Sequence, residues 1–131
     1  MMMPSRQADP NHRPTRPVMV LDSFVAGLAL RAAPSAVATL RAGTALALRH
    51  ADHAAFRPGE RGTGEVQIWT VQGQPLGRMP RDDVALLERL AAPGAPVSAQ
   101  VSAVVPVFRQ ARVQVRIAFT PAGAGSRQSS A

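Results

Sequence analysis

Residues 65–81 read EVQIWTVQGQPLGRMPR, and the place of every other segment follows from them. Val66 and Ile68 point one way while Glu65, Gln67 and Trp69 point the other, the period-2 pattern of a half-buried strand. Gln72-Gly73-Gln74 supplies a tight turn, with Gly73 free to take the positive φ that closes a short hairpin. A short second strand over Pro75–Met79 runs straight into Pro80-Arg81-Asp82-Asp83, which reads as a helix start.

Toward the N-terminus, Phe24–Leu30 is predicted as a first strand, with Gly27 marking a close backbone approach or a bulge. Pro34–Leu40 reads as a short helix that turns Val37 and Leu40 to the core, stopped by Gly43. Thr44–Arg49 is a second strand with Leu46 and Leu48 inward, and residues 50–63 form a polar loop containing Pro58, Gly59 and Gly62. Toward the C-terminus, Asp82–Ala92 is the strongest helix. Its acids sit in the first turn, where the macrodipole favours them, and Val84, Leu87 and Ala91 make one apolar line that Leu86 and Leu90 widen. Val97–Val105 is a strand with Val97, Ala99, Val101, Ala103 and Val105 on one face. Arg112–Phe119 is the cleanest strand, with Val113, Val115, Ile117 and Phe119 inward and Arg112, Gln114 and Arg116 outward. About six short strands with two inserted short helices lack the crossover helices of a parallel sheet, so the fold expected is mainly β, a small, strongly bent antiparallel barrel.

Composition narrows the function. The 131 residues are expected to form a single domain over residues 18–120. The Pro- and Arg-rich residues 1–17 and the Gly/Ser-rich residues 121–131 read as disordered tails, since neither can bury enough apolar surface to offset its ordering entropy. Net charge is +7, and all 15 basic residues are arginine. That balance favours a polyanionic partner, although a GC-rich coding bias and a solvated surface explain it equally well. The absence of cysteine removes disulfides, thiolate zinc sites and thiol nucleophiles, and suits a cytoplasmic protein. Val18–Leu30 followed by Ala36-Val37-Ala38 imitates a secretory leader. Asp22 and Ser23 interrupt the apolar run, and it falls short of the ~18 residues of a membrane span, so neither secretion nor membrane insertion is expected. No phosphate-cradling GxxxxGK[ST], GxSxG or HExxH occurs, and His50 and His53 with Asp52 lack a further ligand at metal-binding spacing. No enzymatic activity, metal or cofactor is expected.

The order of these elements, with Phe24, Gly27, Leu40, Gly43, Leu46, Leu48, Arg49, Val66, Ile68, Gly73, Leu76, Gly77, Pro80, Arg81, Leu90 and Gly94 at their spacings, resembles the HIRAN domain over about residues 23–119. The resemblance implies an OB-like barrel that occurs alone in bacteria or fused to DNA translocases, and a role in binding single-stranded DNA or DNA ends in repair. It places Phe24 where a base-stacking aromatic stands in the family, and Arg78 and Arg81 where phosphate is gripped. Arg49 keeps the first position of the family's Arg-Glu-Pro, but His50 and Ala51 follow it. Arg61-Gly62 and Gly64-Glu65 replace the Tyr-Asp and Asn-Ala that shape the family's 3′-end pocket, so blocking a 3′ hydroxyl is expected to have little effect.

Bases stacked on aromatics contribute about 1–3 kcal/mol each in such modules. Trp69, facing outward, can stack a base or a partner's side chain, while Phe24 suits core packing equally well. Arg112 and Arg116 form a basic edge with Phe108 nearby, or else an ordinary solvated face that guards the edge. The alternative function is a protein-interaction module that has lost the 3′-end pocket and docks a partner through Trp69.

Overall fold

The computed structural model describes residues 17–28, 32–60, 64–107 and 110–123. Six strands, β1 (Met19–Phe24), β2 (Ala45–His50), β3 (Val66–Thr70), β4 (Pro75–Arg78), β5 (Val97–Val107) and β6 (Gln110–Phe119), form one sheet with helices α1 (Pro34–Ala38) and α2 (Arg81–Leu90). The strand order is β1-β6-β5-β2-β3-β4, and every neighbouring pair is antiparallel. The sheet curls into a half-barrel in agreement with the small OB-like barrel expected. Its two edges meet at one point: Ala26, just past β1, bridges Arg78 at the end of β4, each amide donating to the other's carbonyl at 2.8 and 2.9 Å.

Gly77 makes that meeting possible. A Cβ there would stand 2.6 Å from Val25 Cγ1 and closer still to the Ala26 carbonyl oxygen. Any side chain would push the two edges apart, so the glycine of the Leu-Gly pair is a closure residue. The opening hairpin matches its sequence pattern: Val66, Ile68 and Thr70 are buried, and Gly73 takes φ +98° in the turn.

The core is built as the β6 pattern dictates, from Val113, Val115, Ile117 and Phe119 together with Val66, Ile68, Leu76 and Val101. Onto it α2 lays Val84 and Leu87, both essentially inaccessible to solvent. Each such side chain contributes roughly 1.5–3 kcal/mol relative to an exposed one.

Five boundaries or faces differ from the sequence pattern, each for an identifiable reason. The first strand is Met19–Phe24 and not Phe24–Leu30, because its partner is β6, with Met19 opposite Phe119 and Phe24 opposite Gln114. Gly27, at φ +74°, then ends the extended run. In α1 the chain leaves the helix at Thr39, whose Oγ1 donates back to the Ala36 carbonyl, and Ala36 takes the buried position expected of Val37. The loop after β2 is not wholly polar. Phe56 and Pro58 are buried, and the Phe56 amide donates to the Leu48 carbonyl. Helix α2 stops at Leu90, since Ala91 turns extended to bridge Pro121 and the Ala92 amide donates to the Thr120 carbonyl.

The fifth difference is a bulge in β5. Val101 faces Val115 and Ala103 faces Gln114, so Ser102 is an extra residue that inverts the alternation beyond it. Val104 consequently packs on the core while Val105 is exposed, in place of the single apolar face expected for Ala103 and Val105.

The expected tail over residues 1–17 lies outside the described residues apart from Pro17, whereas Ala122 donates its amide to the Leu90 carbonyl. Among the described residues no helix is long and apolar enough to cross a membrane.

The seam makes a stability prediction. Gly77→Ala should lower unfolding free energy by about 1–3 kcal/mol, the usual cost of forcing a methyl into packed structure. Gly64→Ala, where an added Cβ meets nothing within 4 Å, should change it by less than about 0.5 kcal/mol. Urea unfolding of the two variants checks this, and equal midpoints would remove Gly77 from the closure.

Candidate nucleic-acid interface

Strand alternation sets which candidate residues share a surface. On β2, Leu46, Leu48 and His50 are buried, which turns Arg49 outward; on β3, Val66 and Ile68 are buried, which turns Gln67 and Trp69 outward. Arg49 pairs with Gln67, Gln67 with Arg78, and Arg78 with Ala26, so these four stand in one row across the outer wall. Phe24, two residues before Ala26, points to the same outer side, since Ser23 and Val25 between and beside them are buried.

Trp69 is the most elaborated part of this wall. Its indole Nε1 donates to Gln67 Oε1 at 3.1 Å, and Gln67 Nε2 donates to Glu65 at 3.3 Å, which fixes the ring's orientation. The Arg49 guanidinium lies 5.2 Å from the ring centroid, and the His53 imidazole is tilted against it with centroids 5.0 Å apart. His53 reaches the ring from a left-handed backbone at φ +74°, the one non-glycine described in that region. Such a conformation costs of order 1 kcal/mol or more in a residue with a Cβ. Hydrogen bonds around it hold the turn: the His50 amide donates to the Ala54 carbonyl and the Ala54 amide to Asp52 Oδ1. His50 instead packs in the interior against Phe56 at 5.5 Å. The two histidines that sequence spacing would offer as a metal pair therefore serve different places.

A second aromatic–arginine pair lies across the seam. The Arg112 guanidinium sits 4.9 Å from the centroid of Phe24, which is half-buried at the end of β1. Phe24 lies on the outer wall and is not among the buried core residues. A cleft of about 580 Å³ beside it is lined by Asp22, Ser23, Asp83, Ser102, Gln114 and Arg116. Ser23 Oγ donates to Asp83 Oδ2 at 2.6 Å there, tying the first turn of α2 to β1. Arg116 is 3.4 Å from Asp22, so part of its charge is already answered.

Arg78 and Arg81 stand near one another, with the Glu65 carboxylate beside them. They share a void of about 50 Å³ with Gly64, Glu65, Met79 and Val84. That is one or two waters by volume, at ~30 Å³ each. The adjoining larger cleft adds Asp82 to Glu65 and Arg81. Phe108 and the Arg61-Gly62 pair lie outside the described residues.

Two members of this surface escape a reading of the sequence alone. His53 sits in a loop without periodicity, and its only signal is the tight Ala-Asp-His-Ala turn. Gln67 shows as a polar residue on a strand, and its position between two arginines is set by pairing partners far away in the chain. Compared with protein-family models, with curated proteins and with solved structures, the chain matches none.

The chain holds a single tryptophan, so its fluorescence reports this site. His53→Gly should leave stability within about 0.5 kcal/mol, because relief of the left-handed strain offsets glycine's larger backbone entropy. The same change should uncover the indole and raise acrylamide quenching. Unchanged quenching would mean that His53 does not cover Trp69 in solution.

Proposed function

We propose that this domain is a non-catalytic module that binds single-stranded nucleic acid, with single-stranded DNA as its ligand. The observation that carries this is the Trp69 platform, oriented by Gln67 and flanked by Arg49, two residues that share one cross-strand row with Arg78. A base has a π-face to lay on the indole whatever its identity, and cations two strands apart accept its flanking phosphates without reading sequence. The resemblance to HIRAN domains supports the same partner, with Phe24 as a second stacking residue and Arg81 near the phosphate path. On this reading the module acts by binding alone, without a cofactor.

A protein partner is the second reading, favoured by a different observation. β1 ends the sheet order, and Val18, Met19 and Val20 at its start are exposed, a fit for an added strand from another chain.

Titration of short fluorescently labelled single-stranded oligonucleotides with the protein, followed by the anisotropy of the label, decides between them. Binding should weaken with salt by about 0.7 in log K per log salt for each phosphate contacted. Arg78→Ala should weaken all sequences alike, and Trp69→Ala should cost about 1–3 kcal/mol. Absence of binding at low salt would sink the nucleic-acid reading and leave the protein partner.

A further inference from the structure

The register extends the arginine row across the seam. Phe24 pairs with Gln114 and the Val25 amide donates to the Val113 carbonyl at 2.9 Å, which brings Arg112 of β6 opposite Ala26. The outer wall therefore carries, side by side on five neighbouring strand segments, Arg112, Ala26, Arg78, Gln67 and Arg49. Arginines alternate with small or neutral residues at every second strand, about 10 Å apart, over a total of ~19 Å. Trp69 stands two residues to one side of this row and Phe24 two residues to the other, each with a row arginine against its ring.

Gly27 keeps the middle of the row open. A Cβ there would stand 3.0 Å from Arg78 Nη1, so the glycine leaves room for the guanidinium beside the seam. The described cavities beside Arg78 and Arg81, where a chain end could instead be held, are poor places for an anion. The void between Arg78 and Arg81 is about 50 Å³ and includes Glu65, and the cleft beyond it is lined by both Glu65 and Asp82.

Resting on the single-stranded DNA reading, we propose that Arg49, Arg78 and Arg112 form one phosphate track that crosses the strands of the barrel wall, is open at both ends, and takes internal single-stranded segments without reading a terminus. Its length matches about four to six nucleotides, between the smallest sites of OB folds and the ~3.4 Å phosphate spacing of a stacked strand. Trp69 and Phe24 then stack bases on opposite sides of the track, at different positions along the strand.

The test uses the full chain with a linear oligonucleotide and the same sequence closed into a single-stranded circle, which has no ends. The circle should bind within about twofold of the linear strand. Arg49→Gln, Arg78→Gln and Arg112→Gln should each weaken both ligands about tenfold or more, and each should reduce the salt slope by about 0.7. Arg89→Gln, an equal loss of charge at an exposed position of α2, should do neither. A circle bound tenfold more weakly than the linear strand overturns the proposal in favour of end recognition. So does loss of binding in Arg78→Gln alone, with Arg49→Gln and Arg112→Gln unchanged, because that describes a point contact. If the unmodified protein fails to bind the linear strand at low salt, the underlying DNA reading fails and the track with it.

Discussion

The double hydrogen bond between Ala26 and Arg78 is the constraint on which this fold depends. An open six-stranded antiparallel sheet has two edges, here β1 and β4. Closing them at one residue pair exchanges two amides and two carbonyls, about 1 kcal/mol apiece in net stability. The larger effect is geometric. Once the edges touch, the inner faces of β3, β4 and β6 enclose a common volume, and Val25, Ile68, Leu76 and Val113 become interior. The condition for contact is that nothing stands between the backbones, and Gly77 supplies it.

The same constraint joins structure to surface chemistry. Without the seam, the Trp69–Arg49 pair on β2 and β3 and the Phe24–Arg112 pair on β1 and β6 would lie on opposite margins of an open sheet. With it, Arg78 occupies the join and the two pairs become ends of one band. Helix α2 follows β4 directly and is held to β1 by the Ser23–Asp83 hydrogen bond, so closure is secured again one turn beyond the seam. Breaking the seam should therefore disturb stability and the surface together, while substitutions of the outer arginines should touch only the surface.

How far the sequence disclosed this follows from the range of each interaction. The hairpin, α2, β2 and β6 are legible because local period and the charges of a first helix turn specify them: Ile68, Leu87, Leu48 and Ile117 all lie where the pattern puts them. The β1 boundary was not legible, because Met19 and Val20 are exposed and only the distant Phe119 and Ala118 define that strand. Nor was the bulge at Ser102, where an alternating run of valine and alanine looks regular until β6 is laid against it. At the site, Trp69, Arg49, Arg78 and Phe24 could be nominated singly. Their alignment in rows depends on registers between residues tens of positions apart, which one sequence does not contain.

A platform already covered by protein groups raises a question of energy. A cation over an exposed indole contributes about 0.5–1 kcal/mol, less than the 1–3 kcal/mol of a stacked base. On the proposed single-stranded DNA reading, a base would gain by displacing Arg49 from one face, leaving the guanidinium beside the phosphate it would then contact. Trp69 also starts from a fixed orientation, since Gln67 holds its Nε1, so little rotamer freedom is left to lose on binding. His53 works the other way: its turn keeps about 1 kcal/mol of backbone strain in place to cover the ring. On the same proposed reading, that strain would make His53 the cheaper of the two covers to remove when a base stacks.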